Sequence, residues 1–138
     1  MLCIRAVFLL FCVYFFASGV MATESNIAGL RKGQPISKLR KLLGKHGWQP
    51  RVTYLKFGDE GYEHNFSTAG ILYKAGFHEV ETCTGTGANP CIFNYLHKSG
   101  KCLRVFTTGE YSVGQYEPEV DDWSFTCPPP GALKEPGK

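Results

Sequence analysis

The chain has 138 residues, 43% of them hydrophobic, with 15 Lys and Arg against 12 Asp and Glu and a formal net charge of +3. That length leaves room for one domain rather than several, and the charge balance is too even to mark a strongly basic or acidic binding protein.

The first element is an export signal. Arg5 supplies a short positive start, residues 6–16 form an unbroken apolar run, and Val20-Met21-Ala22 offers a cleavage site that would make Thr23 the mature N-terminus. Ala17-Ser18-Gly19 is a second candidate site. The run falls short of the roughly 20 residues a membrane span needs, so no membrane-spanning segment is expected after cleavage. Cys12 is not read as a lipidation site, because Phe11 precedes it where a small residue is required. We therefore expect residues 1–22 to be a signal peptide, residues 23–127 a single domain, and residues 128–138 a disordered Pro-rich tail. The protein is expected to be periplasmic or secreted.

Loss of Cys3 and Cys12 with the signal leaves Cys83, Cys91, Cys102 and Cys127. An even number in an oxidising compartment points to two disulfides. Of the three pairings available, Cys83–Cys91 and Cys102–Cys127 are expected. On chain-entropy grounds they contribute about 2.5 and about 3.5 kcal/mol. No C-x-x-C or zinc-like His spacing occurs, so neither a metal nor another cofactor is expected.

Charge is segregated along the chain. Residues 31–51 carry Arg31, Lys32, Lys38, Arg40, Lys41, Lys45 and Arg51 without an acid, whereas residues 110–122 carry Glu110, Glu117, Glu119, Asp121 and Asp122 without a base. The blocks either attract each other across the fold or mark two surfaces. An exported chain has little reason to meet nucleic acid, so the targets considered for the basic block are an anionic envelope surface and an acidic protein.

Gly33-Gln34-Pro35 opens the first helix. Ile36, Leu39, Leu42 and Leu43 recur at helical spacing, Lys38, Arg40, Lys41 and Lys45 form a basic face, and Gly47 ends the helix. Trp48-Gln49-Pro50 leads into an expected strand over residues 51–57, followed by a turn at Gly58-Asp59-Glu60-Gly61. A weaker helix is expected over residues 66–75, stopped by Gly76, then an extended stretch over 77–81. Strands over residues 91–97 and 101–107 flank Ser99-Gly100 as a two-residue hairpin turn. That register sets Leu96 opposite Leu103 and Phe93 opposite Phe106. A last strand covers residues 120–127 and stops at Pro128-Pro129-Pro130. The expected fold is α+β: one or two N-terminal helices on a three- to four-stranded antiparallel sheet, stabilised by disulfides.

In this register Ile92, Leu96, Leu103 and Val105 share an aliphatic sheet face. Phe93, Tyr95, Arg104, Phe106, Trp123 and Phe125 share the other. Two helices cover one face only. If they cover the aliphatic face, the aromatic residues with Arg104 form a partner-binding surface of the composition found in interface hot spots. The alternative is that the aromatics are the core.

Leu30-Arg31-Lys32-Gly33-Gln34-Pro35 followed by Arg40-Lys41-Leu42-Leu43-Gly44 resembles the opening of the small outer-membrane assembly lipoproteins and the β-lactamase inhibitor proteins. Gly33, Pro35, Arg40, Leu42, Gly47-Trp48, Pro50 and the loop Cys83-Thr84-Gly85-Thr86-Gly87-Ala88-Asn89-Pro90-Cys91 are similar to a group of small exported bacterial proteins of no established function. The chain has no lipobox. The resemblance implies helices laid on an antiparallel sheet and implies no reaction.

Catalytic patterns are sparse. His46, His64, His78 and His97 are scattered, and Glu79 and Glu81 would share one face of an edge strand. Gly85-Thr86-Gly87 is followed by a strand rather than a helix N-terminus, so it is not read as a phosphate cradle. Asp121-Asp122 reads as a solvated strand start. Two functions are expected in order. The first is an exported protein-binding module (inhibitor, immunity-type protein or envelope assembly factor) without catalytic activity. The alternative is a small envelope hydrolase that pairs a histidine, His64 or His78, with a nearby Glu.

Overall fold

Strand pairing organises the molecule around one central strand. A computed structural model describes residues 26–53 and 67–128. In chain order these hold α1 (Ile36–Lys45), β1 (Trp48–Pro50), α2 (Thr68–Lys74), β2 (Val80–Cys83), β3 (Cys91–His97), β4 (Cys102–Thr108) and β5 (Glu119–Ser124). The five strands form one antiparallel sheet. β3 pairs with β4 on one side and with β1 and β2, end to end, on the other, and β5 lies beyond β4. The α+β class is as expected, with one strand more than the three or four anticipated. No helix among the described residues is long and apolar enough to cross a membrane.

Both helices form for local reasons. In α1, Ile36, Leu39 and Leu43 are fully buried while Lys38, Lys41 and Lys45 are exposed, so the 3–4 spacing of the apolar residues sets the buried side. Pro35 gives no side-chain cap, and the Ser37 N–H instead donates to Glu117 Oε2 at 3.1 Å. Gly47 follows the last turn at φ +79°, where a Cβ would lie 3.1 Å from His97 Nε2. α2 starts at Ser67, whose hydroxyl accepts from the Gly70 N–H at 3.0 Å. It ends with Gly76 at φ +93°. There the Gly76 and Phe77 N–H groups donate to the carbonyls of Tyr73 and Leu72, which satisfies the last turn in a Schellman arrangement.

Both expected disulfides are present. Cys83–Cys91 joins residues directly opposite each other in β2 and β3, and Cys102–Cys127 ties β4 to the chain after β5.

The sheet register differs from the expectation by one residue. The β3–β4 loop holds three residues, Lys98-Ser99-Gly100, with Gly100 at φ +86° and the His97 N–H donating to the Lys101 carbonyl at 2.8 Å. Leu96 therefore faces Cys102, Tyr95 faces Leu103 and Phe93 faces Val105. A one-residue slip exchanges the two faces of a strand. Cys91, Phe93, Tyr95, Leu103, Val105 and Val120 are buried with Ile36, Leu39, Leu43 and Leu72 in a single core. A bulge between the pairs Phe106–Asp122 and Thr107–Val120 lets Val120 and Trp123, of opposite parity, both pack against it.

In place of the strand expected over 51–57, the strand is β1, Trp48–Pro50, and residues 51–53 lie outside it. Arg51 and Thr53 follow it with backbone bonds to the Asn94 and His78 carbonyls. Residues 54–57, the turn expected at 58–61, the expected signal peptide and the expected tail beyond Pro128 lie outside the described residues, as does His64.

Candidate functional site

The six residues expected to share a binding face are divided by the register. Phe93 and Tyr95 are 0% and 1% exposed, so neither can meet a partner. Trp123 is half-buried against the core, and Phe125 lies 6.1 Å from the Trp48 ring. Arg104 and Phe106 fall on the opposite face, with the Arg104 guanidinium 5.8 Å from the Phe106 ring. There Arg104 donates to both Glu81 oxygens at 2.7 and 2.9 Å, and Asn94 Nδ2 donates to Glu81 Oε2 at 2.9 Å.

The basic face also loses one member. Lys38, Lys41 and Lys45 are exposed, but Arg40 turns inward. Its Nη2 donates to Glu79 Oε2 and to the Gly76 carbonyl, each at 2.7 Å, and its guanidinium covers the Phe77 ring at 4.9 Å. The Tyr95 hydroxyl donates to Glu79 Oε1 at 3.2 Å. Glu79 is fully buried, and burial holds its carboxyl above the ordinary carboxylate range despite Arg40 and these hydrogen bonds. Burial, together with the Glu79 charge, pushes the Tyr95 phenol well above its ordinary range.

Glu79 and Glu81 therefore do not form an acid–base pair. Glu79 sits in a turn before β2 and reaches Tyr95 on the core side, whereas Glu81 reaches Asn94 and Arg104 on the other side. The described histidines take separate structural places. His78 packs against Tyr73 with the rings tilted and their centroids 4.5 Å apart. His97 packs on Trp48 at 5.0 Å, and its Nε2 lies 3.1 Å from the His46 carbonyl, a contact that needs the proton on Nε2. His46 and His97 border a shallow groove of about 220 Å³ whose lining, among the described residues, holds no Asp or Glu.

The loop between Cys83 and Cys91 is held at both ends. Asn89, at φ +50°, donates from Nδ2 to Thr68 Oγ1 at 3.0 Å, and the Ala88 carbonyl accepts from the Gly109 N–H at 2.8 Å. Residues 84–88 are exposed.

That last bond fixes the base of a feature with no helical or strand periodicity in the sequence. Between β4 and β5 the chain makes a small finger closed by a bridge between Ser112 and Tyr116. The Ser112 N–H donates to the Tyr116 carbonyl, the Gln115 and Tyr116 N–H groups donate back to Ser112, and Gly114 supplies the positive φ of +74°. Tyr111 anchors the finger edge-on against Phe77 at 5.8 Å. Val113 in the finger's turn is 76% exposed and Tyr116 in the closing bridge 61% exposed, the highest values among the described large hydrophobic residues. Between the finger, the end of β4 and the start of α1 lies an open cleft of about 810 Å³. Lys38, Glu110, Tyr111, Tyr116, Glu117 and Glu119 line it. Here the basic and acidic blocks of the sequence meet. The acid run with Gly109, Gly114 and two tyrosines was the signal that marked this segment.

No family model, curated protein sequence or solved structure matches the chain.

Proposed function

We propose that this chain is an exported protein-binding module without catalytic activity, and that it engages its partner with the finger and cleft rather than with the aromatic face of the sheet. The observation that carries this reading is the exposure of Val113 and Tyr116 together on a braced turn. An apolar side chain held out in water by a hydrogen-bonded loop loses little conformational entropy on binding, and Tyr is enriched among interface anchors. Export is supported by the Arg5-led apolar run and by two disulfides, which persist in oxidising compartments.

The test is site-specific photo-cross-linking of the oxidised protein in envelope extract, with the reactive group at position 113 in one sample and at position 106 in another. A discrete adduct from position 113 and none from 106 supports the reading. Adducts from 106 alone, or from neither position, overturn it.

A further inference from the structure

We propose that the cleft beside the finger receives a cationic segment of the partner protein, with one Arg or Lys side chain held between Glu110 and Glu119 against the Tyr116 ring. This deepens the protein-binding reading and rests on it. The cleft volume, about 810 Å³, lies within the range of roughly 300–1,000 Å³ typical of sites that enclose a ligand group.

The sign of the ligand's charge follows from the lining. Three carboxylates and one ammonium, Lys38, border the cleft. The start of α1 also opens into it, and a free helix N-terminus would favour an anion. That pole is already answered, because Glu117 Oε2 accepts the Ser37 N–H at 3.1 Å. Glu110 and Glu119 are exposed, and neither forms an ion pair among the described residues. The uncompensated charge is therefore negative, and exposed Asp121 and Asp122 extend it along β5.

The aromatic lining selects among cations. A guanidinium or ammonium over a Tyr face gains an attraction that a small hydrated ion does not, and its aliphatic stem can lie on the apolar parts of the lining, Pro35 and Tyr111. A polypeptide side chain supplies both parts at once. The acidic row also speeds the encounter with a positively charged segment, an effect that falls with ionic strength.

The experiment titrates ¹⁵N-labelled oxidised protein with two amidated hexapeptides, alternating Arg–Val and alternating Glu–Val, at low and at physiological salt. The Arg peptide is expected to shift amides of residues 109–117 and 37–38 saturably, and to weaken at the higher salt. The Glu peptide is expected to shift none of them. Glu110→Gln with Glu119→Gln should weaken the Arg peptide at least tenfold while the spectrum stays dispersed. Tyr116→Ala, which leaves all charges in place, should weaken it as well. Shifts that map elsewhere, equal binding of the Glu peptide, or indifference to both variants would overturn the proposal. So would salt-sensitive self-association of the protein alone that the same variants abolish, since the occupant would then be a second copy. If position 113 cross-links a partner whose capture ignores the Glu110/Glu119 change, the cationic ligand is wrong and the binding module stands.

Discussion

The aromatic centre of the sheet and the finger at its end use similar residue types in opposite ways. Phe93 and Tyr95 have no exposed surface to offer and hold the helices to the sheet. Tyr116 and Val113 are held in solvent by a turn whose backbone bonds are internal to it. Aromatic content alone does not locate a binding surface. What distinguishes the two regions is which side chains the register turns toward α1 and α2.

The largest effect belongs to the centre. Phe93→Ala or Tyr95→Ala should cost about 3–5 kcal/mol, as truncation of a buried aromatic leaves a cavity, and denaturant unfolding measures it. A loss below about 1 kcal/mol would mean that these rings are not core. Next comes the Cys102–Cys127 bridge, which closes the longer loop. Replacing both cysteines with Ala should cost about 3.5 kcal/mol, against about 2.5 for Cys83–Cys91.

Arg40→Met should cost about 2–3 kcal/mol at neutral pH, below the 3–5 of a fully sealed pair because Arg40 is partly exposed. The loss should depend on pH. The folded-state pKa of Glu79 lies above its unfolded value of roughly 4.3. The stability tied to its protonated form is thus complete below the unfolded value and is lost as pH rises through the folded value. Without Arg40 the folded value moves higher still, so the variant should be weaker at pH 8 than at pH 5. Glu79→Gln in that background should flatten the dependence.

The smallest effect is at the basic face. Charge reversal at Lys41 and Lys45, both exposed, should leave stability within about 0.5 kcal/mol of the parent. If α1 meets an anionic surface, the change should also remove the low-salt binding of the protein to anionic vesicles. Vesicle binding that survives it would place that contact elsewhere.

What the sequence disclosed was short-range. The periodicity of Ile36, Leu39 and Leu43, the stop at Gly76 and the two cysteine pairings all depend on neighbours along the chain or on loop length. The β3–β4 register turned on whether the loop held two residues or three, and that single residue moved Arg104 and Phe106 away from Phe93 and Tyr95. Pro50 reads as part of a lead-in, yet it closes β1, which among the described residues pairs with β3 alone, so one side of it needs no donor. Glu79 reads as an edge-strand acid on the same face as Glu81. Its burial depends on Arg40, 39 positions earlier. The finger was missed because it lacks strand alternation, and its supports at Phe77 and Ser37 are distant in sequence.

The most direct test of the central claim uses one variant and two readouts. Val113→Ser with Tyr116→Ser should leave the thermal midpoint within about 3 °C of the parent, since both side chains stand in solvent. The same variant should weaken capture of the partner cross-linked from position 113 by roughly thirtyfold, equivalent to about 2 kcal/mol of lost anchoring. An unchanged midpoint with undiminished capture would contradict the account, and so would a midpoint that falls by 10 °C or more, on the order of the loss of a core contact.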